Sequence, residues 1–177
     1  MIKELKLFLG IFLFLAVSRF IPHPPNFTSL IALSFYVPAI LGIRYMPVVM
    51  ISFVITDLFI GFHSTLFFTW GSVVLIGLMS KFFSNSLLKR LGGALTGAFI
   101  FFLVTNFAVW LAWDYYPKTI EGLILCYTMA IPFFQNTLIS TCLFTGVLTL
   151  MIKPLEKINE KTNNMVLYIV QFAGHSK

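Results

Sequence analysis

The chain has 177 residues, 59% of them hydrophobic and only 10% charged, where a soluble domain carries about 25% charged residues. A mean hydropathy of +0.94 leaves too little polar surface to coat a water-soluble globule, and the continuous apolar runs exclude the alternating strands of an outer-membrane barrel. The formal charge is +6, but the basic residues stand singly or in pairs between apolar runs and form no basic face, which excludes nucleic acid as a partner.

The expected class is an all-α polytopic membrane protein, a single domain of six transmembrane helices in a compact bundle. The first span covers residues 5–21. A signal peptide is its rival, because Ala16-Val17-Ser18 is a tolerable cleavage site. The run lacks a polar segment before that site and five more apolar runs follow, so a retained span is expected. The second span covers 27–42 and ends at Gly42 and Arg44. The third covers 47–62, with Pro47 in a first helical turn where its missing donor costs nothing. His63-Ser64-Thr65 leads to the fourth, 66–80, and a basic loop from Lys81 to Arg90 follows. The fifth covers 91–113, Asp114 to Tyr127 reads as a polar and aromatic loop, and the sixth covers 128–152. Residues 153–177 form a tail whose apolar stretch, Met165 to Phe172, is too short to span and is expected in the interface or against the bundle.

Sidedness follows from the positive-inside rule. With the N-terminus inside, Lys3, Lys6, Arg44, Lys81, Lys89, Arg90, Lys153, Lys157, Lys161 and Lys177 are internal, and only Arg19 and Lys118 are external. Both termini are therefore expected in the cytoplasm. The segment Ser18-Arg-Phe-Ile-Pro-His-Pro-Pro-Asn-Phe-Thr28 then faces outward. Pro22, Pro24 and Pro25 stiffen it beyond what a simple helix connection needs, so it reads as the rim of a binding site.

Ionisable and amide side chains are expensive in hydrocarbon, so their depth is informative. Arg19 lies just inside the outer end of the first span, and Asp57 about 7 Å inside that of the third. Asn106, Gln135 and Asn136 lie about 10–12 Å deep by the same rise. The inner halves carry only small hydroxyls such as Ser34, Thr96 and Thr149. This asymmetry describes an outward-open cup with a closed floor. Arg19, His23 and Asn26 would form its rim. Asp57, Asn106, Gln135 and Asn136 would hydrogen-bond a ligand, with Trp70 and Trp110 stacking on it. Asp57 has a second reading as the ion-pair partner of Arg19, and Trp113 as part of an interfacial aromatic belt. Pro132 is expected to kink the sixth span near Asn136. Aromatic walls with one carboxylate favour a planar or cationic ligand.

Cys126 and Cys142 give no disulfide framework, and His23, His63, Asp57 and Asp114 have no spacing that fixes a metal geometry. Neither metal nor cofactor is expected. Gly93-Ala-Leu-Thr-Gly97 permits close helix contact, inside the bundle or with another subunit. No nucleotide motif, carboxylate pair or nucleophile–base set stands at a common depth, so the chain is not expected to be an enzyme.

The proline segment, Thr56-Asp57-Leu58 with Gly61, Thr105-Asn106-Phe107 with Trp110, and Ile131-Pro-Phe-Phe-Gln-Asn136 together resemble a bacterial six-span membrane family over nearly the whole chain. That family is similar in length and hydropathy to the substrate-binding S subunits of energy-coupling factor vitamin transporters. The resemblance implies a multi-pass protein of the bacterial inner membrane that captures a vitamin-like micronutrient from the extracytoplasmic side. Transport would then need a coupling subunit with two ATPases. S subunits present an alanine-x-x-x-alanine patch on helix one, whereas Leu7 to Ser18 offers only Gly10 and Ala16. The alternative is a non-transport scaffold of a cell-envelope complex, similar to the cell-shape membrane protein of rod-like bacteria. A cavity of about 300 Å³ or more lined by the polar residues would separate the two.

Overall fold

The computed structural model describes the backbone of residues 2–83 and 86–174 and the side chains of 4–83 and 86–152. Every regular element among them is helical: α1 (Ile2–Phe20), α2 (Leu30–Leu41), α3 (Met46–Ile60), α4 (Leu66–Met79), α5 (Leu87–Ala112), α6 (Ile120–Met129) and α7 (Ile131–Gly174). Single 3-10 turns precede α3 and follow α4. The chain divides into two units, Met1–Thr145 and Gly146–Lys177. The second has a helical backbone to Gly174, and the expectation for Met165 to Phe172 concerns side chains outside the described residues.

Four stretches are long and apolar enough to cross a membrane: Ile43–Ile60, Leu66–Phe83, Leu87–Ala112 and Ile131–Ile152. Side chains such as Phe59, Phe67 and Leu88 are more than three-quarters exposed. Outward-facing apolar groups of that size and number belong against lipid rather than water. The class of helical membrane protein holds on this evidence.

The second predicted run differs from expectation. Its helix, α2, has 12 residues, about 18 Å at 1.5 Å per residue, which is short for a hydrocarbon core of about 30 Å. Its residues from Leu30 to Pro38 are all buried. A helix that is apolar all round belongs in a core, and α2 packs against α4 and α5 and touches α3. Helix α1 packs chiefly on α3, and α6 on α5.

Two glycines of α5 let it approach its neighbours, Gly93 the core helix α2 and Gly97 helix α4. A β-carbon on Gly93 would lie 2.4 Å from the Phe35 ring, and one on Gly97 would lie 3.0 Å from Ile76 of α4. The Gly93–Gly97 motif therefore serves packing inside the bundle.

The segment expected as a loop from Asp114 to Tyr127 contains α6. Thr119 caps it, accepting a hydrogen bond from the Gly122 amide at 3.2 Å, which supplies a partner to one of the first-turn donors. A β-carbon on Gly122 would stand 2.0 Å from the Pro117 carbonyl, so the incoming loop folds directly on the first turn. The sixth predicted span, 128–152, accordingly starts too early. Helix α6 ends at Met129 and α7 begins at Ile131. Pro132 thus lies in the first turn of α7, where a proline is tolerated, and does not kink a continuous helix.

These contacts make a graded prediction. Gly93→Ala overpacks a fully buried ring and should destabilise the protein by about 1–3 kcal/mol. Gly92→Ala meets open space and gains helix propensity, so it should leave the melting temperature unchanged or raise it. Thermal denaturation of both variants in one detergent checks the order.

Candidate ligand-binding cavity

Asp57 lies in the last turn of α3, where the helix dipole disfavours a carboxylate, and its side chain is 3% exposed. Such a group needs compensation. Arg19, in the last turn of α1, supplies it with an Nη2–Oδ1 distance of 2.7 Å. The other carboxylate oxygen accepts from the Trp70 indole N–H at 2.8 Å. Arg19 donates its second terminal nitrogen to Thr56 Oγ1, and its guanidinium lies over the Phe53 ring at 4.7 Å. Gly61, at φ +110°, ends α3, and its amide caps the Asp57 carbonyl at 2.8 Å. Both oxygens of the carboxylate are therefore engaged, and the ends of α1, α3 and α4 on this side of the bundle are joined.

The proline segment crosses above this pair. Pro24 to Phe27 form a turn closed by a 3.0 Å bond from the Phe27 amide to the Pro24 carbonyl. Pro25 fixes its own φ, and Asn26 takes the left-handed φ of +63° that the third position of a type II turn demands. Such a turn leaves its central carbonyl pointing aside. Asn136 of α7 donates to that Pro25 carbonyl at 3.0 Å. Ser18 and Ser29 bond across the base of the segment at 2.8 Å, and the His23 ring lies between the Pro24 and Arg19 carbonyls at 2.7 and 3.3 Å.

Beneath the segment is a cavity of about 680 Å³, lined by α1, the start of α2, α3, α4, α5, α6 and the start of α7. Of the nine residues predicted for the site, Arg19, His23, Asn26, Asp57 and Asn106 line it. The Asn106 amide donates through Nδ2 to the Phe102 carbonyl at 2.8 Å, and its side-chain Oδ1 accepts no hydrogen bond among the described residues. Trp70 reaches the site only through Asp57. Asn136 fastens the rim from outside the lining. Gln135 is exposed and lies outside it. Asn136 is one residue further along, about 100° around the helix, so the two amides cannot share a face.

Trp110 also stands outside the lining. Its indole donates to the Pro117 carbonyl at 2.8 Å, and Lys118 bonds the carbonyls of Trp110 and Trp113. Trp113 is the indole that faces the cavity. The α-helix stops at Ala112 and Trp113 is extended, at φ −121° and ψ 147°, so a helical extrapolation from Asn106 misplaces it. Its N–H bonds Ser64 of the α3–α4 link. Tyr115, Tyr116, Thr69, Thr105 and Phe133 also line the cavity, although the sequence reading assigns none of them to the site. The signals that point toward them are the polar aromatic loop for Tyr115 and Tyr116 and the motifs around Asn106 and Asn136 for Thr105 and Phe133. The described residues hold no group of three metal-ligating side chains, and both cysteines are unpaired.

A half-enclosed chamber with an engaged ion pair in one wall, inside a helical bundle made for lipid, defines a membrane protein with an internal ligand-sized cavity. The chain belongs to the family of unknown function DUF6580, whose model matches residues 2–162. No curated protein and no solved structure matches it.

The ion pair predicts a non-additive response. Asp57→Ala leaves Arg19 buried with an uncompensated charge and should cost about 3–5 kcal/mol. The double replacement Arg19→Met with Asp57→Leu should recover most of that loss, because apolar groups of similar volume can substitute for a buried pair. A double-mutant cycle of thermal stability measures the coupling.

Proposed function

We propose that the protein is a solute-binding membrane protein that takes a small organic micronutrient from the extracytoplasmic side, in the manner of the S subunits of energy-coupling factor transporters. The single observation that carries this reading is the cavity of about 680 Å³, within the range of small-molecule sites. Its upper wall is the proline segment, which the distribution of Lys and Arg puts outside. In this reading α1 to α5 and α7 carry six crossings of an inner membrane with both termini cytoplasmic, the short α2 making its crossing inside the bundle rather than against lipid.

The roles divide by position. Asn106 and Asn26 offer amides to the ligand, Trp113 stacks on it, and His23 stands at the mouth. Arg19, Asp57 and Trp70 hold the wall, while Asn136 holds the rim. The protein binds and does not catalyse, and it needs no cofactor. Uptake would require a coupling subunit with ATPases. Ala16 is buried in α1 and Gly10 is the exposed small residue there, so such a subunit would dock on a surface other than a small-residue patch of α1.

Native mass spectrometry of protein gently extracted from its own membranes tests the reading. A small organic molecule should accompany the wild type and be lost from Asn106→Leu and from Thr69→Trp, which fills the chamber. A ligand-free wild type bound to cell-envelope synthesis proteins would replace this reading with that of a scaffold.

A further inference from the structure

The charge of the cavity wall narrows the ligand class. Arg19 and Asp57 are the sole Lys, Arg, Asp or Glu residues in the lining, and they lie 2.7 Å apart. The carboxylate spends its second oxygen on Trp70 at 2.8 Å. The guanidinium spends its other terminal nitrogen on Thr56 and its face on Phe53. The pair is neutral in sum, so an ion drawn from water into this chamber would lose hydration without gaining a net counter-charge.

The aromatic faces argue the other way for a cation, since indole and phenol rings attract one. In this wall, however, the Arg19 guanidinium already covers the Phe53 face, and the carboxylate that could balance a ligand cation is spent on Arg19 and Trp70. What remains available is uncharged. The side-chain Oδ1 of Asn106 accepts no hydrogen bond among the described residues, while its Nδ2 donates to the Phe102 carbonyl. Among the described residues the Asn26 amide has no hydrogen-bond partner. Phe101, Trp113, Tyr115 and Phe133 present flat apolar area.

We infer that the cavity takes an uncharged planar ring compound, held by its faces between aromatic side chains and by its polar edge against the two asparagine amides. This rests on the solute-binding reading above and replaces the planar-or-cationic expectation from sequence with its neutral half. The Arg19–Asp57 pair acts as a charge filter, neutral only while both members are present.

Three ring probes of matched shape test it: acridine, N-methylacridinium and acridine-9-carboxylate. Binding to the full chain in nanodiscs is measured at about pH 8, above the ordinary histidine range, as quenching that is lost in Trp113→Phe. The wild type should bind acridine at least about tenfold more tightly than either ion. Asp57→Asn should move the preference toward the carboxylate, and Arg19→Gln toward the cation. A wild type that binds either ion as tightly as acridine overturns the inference and leaves a ligand-binding cavity standing. Binding of none of the three overturns the ring assignment, and the co-purification measurement then decides separately whether the cavity holds any solute.

Discussion

The Arg19–Asp57 contact is the constraint on which the cavity-bearing half of the bundle depends. Each charge removed from water costs several kcal/mol, and mutual attraction repays that only when the remaining hydrogen-bonding capacity is also met. Here Trp70 on the carboxylate and Thr56 on the guanidinium supply part of that capacity. Three helix ends and the α3–α4 hairpin are therefore tied by one pair. The pair also balances its own charges, so the chamber beside it is lined by aromatic and uncharged polar groups and is neutral in sum.

The rest of the bundle makes room for that chamber. The short helix α2 is buried along most of its length and serves as the internal post against which α4 and α5 pack. Lower down, Gly93 brings α5 close to α2 and Gly97 brings it close to α4. Above that contact α5 continues to Asn106 and stops at Ala112, where Trp113 leaves helical geometry. The turn at Pro24 to Phe27 covers the other side, held by the Asn136 amide. A tight lower bundle and a cavity under stiff connections arise from the same chain pattern, small residues below and proline and amides above.

Much of this was legible in the sequence, for identifiable reasons. The helical class followed from continuous apolar runs, and the pairing of Arg19 with Asp57 was one of the two readings that the sequence left open for that carboxylate. What sequence could not supply was the direction in which side chains leave their helices. Asn106, Trp110 and Trp113 share a spacing, yet the loop through Pro117 and Lys118 captures the middle one and the helix ends before the last. Gln135 and Asn136 are neighbours in sequence but about 100° apart in space. Helix α6 was missed because Asp114, Pro117 and Lys118 gave its approach a loop's polarity, although Thr119 is a sound capping residue. The length of α2 was overestimated because Phe27, Thr28 and Ser29 extend its apolar run without being helical.

The most direct test of the central claim is a side-chain-resolution structure of the protein purified from its own membranes. The account predicts a discrete planar molecule in the chamber, against Asn106 and Trp113, with the Arg19–Asp57 pair intact beside it. A chamber filled by a lipid acyl chain, or collapsed with Trp113 packed onto Phe53, would contradict it.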